Sequence, residues 1–302
     1  MRLGHFDLNL FVTLDALLDT RSITRAAERL HIGASATSSA LGRLREHFGD
    51  ELLVQVGRRM ELTPLAQSLR EPVRDVILRS HATLASGKRF DPATARRRFV
   101  FNASDYATTV LLTPLVQALE AEAPGIVVDI VGLGDSSVER LERGDVDFAI
   151  YPERNASPDH PRLQLMEETY SCVVWTGHHL KGGQMDFDHY MRARHVAAQF
   201  GDQRVATFES WFMATHGVQR NVVVTASSFN ALPLLVVGTQ RIATMHTRLA
   251  RMYARLLPIR VLPAPFEMPV LKLVLQWNRL LDHAPDHCWL RERILAVAEQ
   301  VV

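Results

Sequence analysis

The sequence predicts two units of different class: an all-α N-terminal module closed by a small β-hairpin, and a C-terminal α/β part built as two lobes. Three observations carry this. The first 65 residues place apolar side chains at three- and four-residue steps, then show two short runs around a basic turn. From Phe99 onward, strand-like and helix-like segments alternate. Between these patterns lies one long helical stripe ending in a Gly/Pro-containing hinge. A chain of 302 residues exceeds one ordinary core, and 47% hydrophobic with 22% charged residues suits a globular protein.

The N-terminal helices are readable one by one. Asp7 supplies an N-cap for a helix from Leu8 to about Asp19, with Leu8, Phe11, Leu14 and Leu18 on one face. Ser22 caps a second helix, Ile23 to Leu30, whose Ala26-Ala27 pair lets a neighbour approach closely. Gly33 in His31-Ile32-Gly33 offers the positive φ that a tight inter-helix turn often needs. A third helix, about Ser35 to Phe48, buries Thr37, Leu41, Leu44 and Phe48 and exposes Ser35, Ser38, Ser39, Gly42, Arg43 and Arg45. Residues 52–56 and 60–62 then read as two strands around the basic turn Gly57-Arg58-Arg59, and Thr63-Pro64 starts a further helix. Three helices and a wing make a winged helix-turn-helix.

Short polar side chains followed by arginine suit a helix entering the major groove of DNA, with a basic wing along the phosphates. The candidate DNA-binding residues are Ser22, Ser35, Ser38, Ser39, Arg43, Arg45, Arg58 and Arg59. Bulk charge gives this reading no help: residues 1–65 hold 8 Lys+Arg against 8 Asp+Glu. A small three-helix structural module with solvated arginines is the alternative that the residues leave open.

Phe6-Asp7-Leu8-Asn9-Leu10, Ser22-Ile23-Thr24-Arg25-Ala26-Ala27, Leu30-His31-Ile32 and Ala40-Leu41-Gly42-Arg43-Leu44-Arg45, ending in Leu62-Thr63-Pro64, resemble the N-terminal signature of LysR-type transcriptional regulators. The likeness is nearest to the branch of flavonoid-responsive nodulation regulators and aromatic-catabolism regulators. Two positions depart from the family pattern. Gly33-Ala34-Ser35 stands where Thr-Gln-Pro commonly opens the recognition helix, and Gln55 where a wing arginine is usual. The resemblance implies double-stranded operator DNA, a small-molecule effector, further copies of the chain (a dimer and a dimer of dimers) and RNA polymerase as partners. It also implies no cofactor.

From Pro64 to about Ala85, Leu65, Leu69, Val73, Val76, Ile77 and Leu84 form a helical stripe interrupted by Pro72. The stripe packs either on its own domain or on a second copy, and the resemblance favours the second copy. Residues 1–63 thus form the DNA-binding domain and 64–90 the linker and hinge, leaving 91–302 as the effector-binding domain. Its expected strands are 99–104, 126–131, 148–151, 170–175, 195–200, 222–225, 242–245, 259–262 and 271–277, with helices 108–123, 137–143, 208–215, 230–237, 247–256 and 286–301. Lobe I takes residues 97–166 and 269–302, lobe II residues 167–268, with mainly parallel sheets. Two such lobes joined by two crossovers resemble a periplasmic-binding-protein fold, and Gly144 to Ile150 resembles the family's aspartate turn.

In such folds ligands sit between the lobes. The expected effector residues are Ser104, Asp105 and Tyr106 in lobe I, and Gln199, Phe200, Gly201, Ser227, Phe229, Thr244 and His246 in lobe II, with Trp277 nearby. Phe200 or Phe229 would stack on an aromatic or heteroaromatic inducer, while Ser104, Ser227 and His246 hold its polar edge. Phe200, Phe229 and Trp277 read equally well as lobe-core aromatics.

Catalytic motifs are not found. Gly132-Leu133-Gly134 lacks the later glycine of a dinucleotide loop, and Pro285 separates His283 from the His287-Cys288 pair. Three lysines, Lys88, Lys181 and Lys272, give little scope for a Schiff base. The N-terminal stretch lacks signal-peptide architecture and no apolar run nears ~18 residues. The expectation is a cytoplasmic regulator without a membrane, metal or cofactor. The alternatives are a ligand-independent DNA-binding regulator and a solute-binding protein.

Overall fold

A computed structural model describes residues 6–85, 90–134, 136–180, 185–200 and 207–301. The chain divides into two compact units, one mainly residues 1–88 and the other residues 89–282 and 286–302.

The N-terminal unit holds α1 (Asn9–Thr20), α2 (Ile23–Leu30), α3 (Ala34–Phe48), the hairpin β1 (Leu53–Val56) and β2 (Arg59–Leu62), and α4 (Pro64–Ala85). Asp7 does not take the expected cap position, which Leu8 occupies without a side-chain bond; its carboxylate instead accepts the Asn9 amide at 3.0 Å in the turn that leads into α1. Leu8 is exposed, and the buried face of α1 is instead Leu10, Leu14, Leu17 and Leu18. The α2–α3 turn also differs from expectation. Gly33 is extended and precedes α3, whereas His31 takes the left-handed conformation at φ 54°. His31 terminates α2 by donating its amide to the last carbonyls, and histidine enters that region more readily than bulky residues. In the hairpin Val56 pairs with Arg59, so Gly57 and Arg58 form a two-residue turn, with Gly57 at φ 63°.

α4 runs unbroken through Pro72, which is exposed, so water can serve the carbonyl that the proline leaves free. Its stripe is not wholly a surface for a second copy. Val73 is 2% exposed and joins Leu14, Leu17, Leu41 and Leu44 in one core, with Leu69 and Ile77 packed against it. Beside this seam Arg74 pairs with Asp15, and Asp19 takes Arg29 at 2.7 Å and Arg70 at 3.3 Å. The helix is therefore riveted to α1 of its own domain.

In the second unit, lobe I is a five-stranded sheet ordered β4-β3-β5-β12-β6 and lobe II one ordered β11-β7-β10-β8-β9. Lobe I comprises β3 (Arg97–Ala103), β4 (Ile126–Val131), β5 (Phe148–Pro152), β6 (Arg162–Glu168) and β12 (Leu271–Trp277). Lobe II comprises β7 (Tyr170–Trp175), β8 (Arg194–Ala198), β9 (Val222–Ala226), β10 (Arg241–His246) and β11 (Ile259–Leu262). In each sheet four of the five strands run in one direction and one opposes them. β12 runs antiparallel to both neighbours, and β7 does the same in lobe II. The reason is topological: each of these strands enters its sheet from the other lobe, at the end where the parallel strands finish. β6 is a strand that the sequence reading missed.

Helices α5 (Asp105–Ala107), α6 (Thr113–Glu122), α7 (Ser137–Glu142), α8 (Phe187–Arg192), α9 (Thr207–His216), α10 (Leu232–Val236), α11 (Thr247–Ala254) and α12 (Pro285–Gln300) cover the sheets. Between α5 and α6 the helix widens into a π-helical stretch, Thr108–Leu112. The expected aspartate turn is present: Asp147 accepts the Val100 amide at 2.8 Å and meets Arg97 at 2.9 Å and His287 at 3.1 Å. Burial works to raise its carboxyl, yet His287 and Arg97 hold it below the usual value. Among the described residues, no helix is long and apolar enough to cross a membrane.

Val73→Ala should lower the unfolding free energy of the N-terminal unit by about 2 kcal/mol, since one buried side chain loses most of its contacts. Val73→Asp should abolish cooperative unfolding of that unit altogether. A folded but merely monomeric Val73→Asp protein, seen by circular dichroism and light scattering, would return Val73 to an intersubunit surface.

Candidate DNA-binding face and effector site

On α3 the packing splits the helix cleanly. Thr37, Leu41 and Leu44 are buried, while Ser35, Ser38, Ser39, Gly42 and Arg43 are exposed. One face thus presents nothing larger than serine for two turns and then a guanidinium. Arg43 stands 3.7 Å from the Asp7 carboxylate. Arg58 and Arg59 are exposed at the tip of the wing. Ser22 and Arg45 have internal roles. The Ser22 hydroxyl accepts the Arg25 amide at 3.4 Å and starts α2. Arg45 donates to the carbonyls of Glu51 at 2.8 Å and Leu53 at 2.9 Å, which fixes the start of the wing against α3.

The effector residues divide differently. Ser104 accepts the Ala107 amide through its hydroxyl and caps α5. Asp105 crosses to lobe II, accepting from the Ser228 hydroxyl at 2.7 Å and the Asn230 amide at 2.9 Å. Tyr106 is 1% exposed and donates to the Glu168 carboxylate at the crossover from β6 to β7. Its ring stacks on His246 at 4.0 Å, and His246 in turn meets Phe229 at 4.4 Å and Tyr170 at 5.2 Å. Phe200 lies 4.7 Å from Phe229. Tyr106, Phe200, Phe229 and His246 therefore form one aromatic cluster at the meeting of the lobes, to which Tyr170 belongs as well. Gln199 donates its amide to the Ala226 carbonyl beside it, and Ser227 is exposed. Gly201 lies outside the described residues.

Two expected residues are elsewhere. Trp277 pairs with Phe148 at the start of β5, the end of the lobe I sheet remote from Ser104, and its indole donates to Asp282 at 3.0 Å. The antiparallel course of β12 puts it there. The Thr244 hydroxyl is engaged by Tyr190 at 2.8 Å and Arg220 at 2.9 Å inside lobe II. Glu168, Tyr170, Ser228 and Asn230 were not singled out from the sequence. Asp105 and Asn230 lie 125 positions apart, so no local spacing could have announced the pair.

The electrostatics of the cluster are those of a neutral site. Burial pushes the His246 imidazole down to about 3, leaving it uncharged at neutral pH. Burial, and then the Glu168 charge, push the Tyr106 hydroxyl far up. Glu168, 1% exposed, also accepts the Thr169 amide at 2.7 Å and faces Arg248 at 3.4 Å.

A winged helix-turn-helix joined to a two-lobed α/β domain defines a DNA-binding regulator of the effector-controlled kind. The comparisons name the family. Residues 8–67 match the model of the bacterial regulatory helix-turn-helix protein, lysR family, and residues 92–299 match the LysR substrate binding domain. Nodulation protein D 1 of Mesorhizobium japonicum is 38% identical over 301 residues, covering 100% of this chain and 96% of that relative. Nodulation protein D 2 of Rhizobium tropici is also 38% identical, over 302 residues, with the same coverage. The crystal structure of a probable transcriptional regulator from Pseudomonas aeruginosa shares 30% identity and a TM-score of 0.70, covering 97% of this chain and 98% of that one. Full-length LysG of Corynebacterium glutamicum, with effector Arg bound, shares the fold at 16% identity and a TM-score of 0.62, covering 98% of this chain and 99% of that one. The chain belongs to the LysR family of transcriptional regulators. Its family and relatives are regulators, not enzymes.

The depressed histidines fix a direction for pH dependence. His246, at about 3, and His195, held near 4 by burial and then by Arg220, are neutral in the folded chain, but titrate near 6.5 when unfolded. Below that value the unfolded chain binds more protons, so the stability these two contribute is complete above about pH 6.5 and drains away as pH falls toward 4. His246→Phe should flatten the fall in melting temperature of the effector unit between pH 7 and pH 4.5. An unchanged slope would mean that other groups govern acid unfolding.

Proposed function

We propose that this LysR-type regulator reads its operator with the exposed face of α3 and answers to a small, uncharged aromatic or heteroaromatic inducer held at the lobe junction. The DNA part rests on one observation: Ser35, Ser38, Ser39 and Gly42 leave α3 narrow enough to reach the groove floor, while Arg43 projects beyond them. Arg58 and Arg59 then serve the phosphates. Ser22 and Arg45 hold the reading elements rather than the DNA, since their polar groups are engaged within the fold. Because residues 1–65 carry no net charge, one copy has little electrostatic hold on DNA. Pairing of copies, as a dimer and then a dimer of dimers, raises the affinity by engaging several half-sites together. The working compartment is the cytoplasm, and the downstream partner is RNA polymerase. No cofactor takes part.

The inducer part rests on the aromatic cluster of Tyr106, Phe200, Phe229 and His246, which straddles the two lobes and is uncharged. The similarity to the Nodulation protein D chains, spanning the effector domain, supports a ligand of the kind that this branch senses. Ser104 and Ser227, each two positions before an aromatic of the cluster, would hold the polar edge of the inducer together with His246. Binding shifts a balance between lobe arrangements that already exists, without chemistry on the ligand.

Two measurements test these assignments. Arg58→Ala should weaken binding to all sequences and reduce the salt slope of log K by about 1, whereas Arg43→Ala should cost discrimination between operator and random DNA by roughly 1–3 kcal/mol. Equal losses on both DNAs in the Arg43 variant would assign Arg43 to the backbone. Phe229→Ala should abolish the inducer response of an operator reporter while leaving basal operator occupancy at the wild-type level. A normal response would remove Phe229 from the site, and loss of operator binding as well would make it core.

A further inference from the structure

Asp105 stands one residue into a helix of lobe I, yet its carboxylate turns away from that helix. Its Oδ2 accepts three hydrogen bonds, all from lobe II: the Ser228 hydroxyl at 2.7 Å, the Asn230 backbone amide at 2.9 Å and the Asn230 side-chain amide at 3.1 Å. The Asn230 amide also donates to the Asp105 carbonyl at 3.3 Å and to the Thr109 hydroxyl at 3.0 Å. On its other edge Asn230 accepts the Tyr253 hydroxyl at 3.2 Å. One asparagine of lobe II is thus gripped by two side chains spaced four residues apart on lobe I. Hydrogen bonds to a carboxylate are roughly twice as strong as neutral ones, so Asp105 dominates the grip.

The helix that carries Asp105 is irregular. Directly after it the helix widens into the π-helical stretch Thr108–Leu112, where the regular ladder is interrupted. The hydroxyls of Thr108, Thr109 and Thr113 turn back onto the carbonyls of Ser104, Asp105 and Thr108, a habit that bends helices. The neighbouring residue, Tyr106, belongs to the aromatic cluster and bonds to Glu168 at the crossover.

We infer that Asp105 and Asn230 form a latch between the lobes: the ligand-free effector domain is held in one lobe arrangement by this contact, and the inducer acts by stressing it. The latch builds on the effector-controlled reading given above and adds its regulation. With the carboxylate in place one arrangement is favoured; without it a second becomes populated. An occupant of the cluster reaches the latch through Tyr106, the covalent neighbour of Asp105.

The test uses the full chain without any ligand. Spin labels at Glu139→Cys in lobe I and Met252→Cys in lobe II, in a background with Cys172→Ala and Cys288→Ala, report the inter-lobe distance. The latched protein should give one narrow distribution. Asp105→Ala should add a second, displaced population, and Asn230→Ala, changed from the opposite lobe, should add the same one. The reciprocal pair Asp105→Asn with Asn230→Asp keeps a carboxylate facing an amide and should restore the narrow distribution. Distributions of both alanine variants that superimpose on the latched protein's would overturn the latch. So would a reciprocal pair no narrower than the single variants. Because no inducer is present, failure here leaves the Phe229 assignment untouched, whereas failure of that assignment removes the inducer's route to the latch and leaves the ligand-free contact standing.

Discussion

A carboxylate buried to 1% exposure sits where the chain passes from one lobe to the other, and much of the effector domain is arranged around it. An ionised carboxylate withdrawn from water is tolerated only when it is paired and hydrogen-bonded. Glu168 meets that condition with groups from both lobes: the Tyr106 hydroxyl from lobe I, Arg248 from α11 of lobe II, and the Thr169 amide from the crossover itself. Arg248 further donates to the carbonyls of Glu167 and Val301. Relative movement of the lobes therefore has to preserve or exchange these partners. The crossover strands obey the same geometry. β7 and β12 each enter a sheet from this junction, so each runs against its neighbours, and the open ends of the parallel strands converge on the place where Glu168 lies.

How much of this was legible in the sequence follows from the range of the interactions. Local signals were read well. Ser22 and Thr63 cap the helices that they precede, Thr63 accepting the Ala66 amide at 3.1 Å, and Asp7 bonds the first turn of α1 from one position further out. The wing turn was fixed by Gly57. Signals shared between elements were not legible. Val73 lies on a stripe that suits a second copy as well as its own domain, and only the packing of α4 on α1 decides for the domain. His31 rather than Gly33 carries the positive φ because helix termination, not glycine's freedom, set that turn. Trp277 reads equally well as cleft or core in the sequence, and the antiparallel course of β12 decides for the core. The partners of Asp105, Tyr106 and Thr244 come from other elements, and no periodicity in one segment encodes them.

In the N-terminal unit, charge is conspicuous by its placement rather than its amount. The basic side chains of α2 and α4 that meet α1, namely Arg29, Arg70 and Arg74, are bound by Asp15 and Asp19, where burial pushes the Asp15 carboxyl up against the pull of Arg74. Arg45 is held by the wing carbonyls and Arg21 by Glu61 at 2.9 Å. Once these are set aside, the wing-tip pair Arg58 and Arg59 stays exposed, with Arg43 beside the small face of α3. A charge-neutral module can still present a directional positive edge, because Asp15, Asp19 and Glu61 are spent on internal pairing.

The proposed effector site and the junction share a side chain, and this bears on how a ligand could matter. Tyr106 lies with its ring against His246 and its hydroxyl on Glu168, so its two ends are committed to different tasks. A ring entering the cluster has to separate Tyr106 from His246 or Phe229 from both. The interior is close-packed, and small displacements are not absorbed smoothly there. If Tyr106 tilts, its hydroxyl leaves a carboxylate that cannot stay unpaired, and Arg248 must take up more of that charge. If Tyr106 holds, Phe229 must yield, and with it the turn that carries Ser228 and Asn230. Either route ends at a polar contact joining the lobes, so an uncharged ligand that forms no ion pair of its own can still redistribute the ion pairs of the protein.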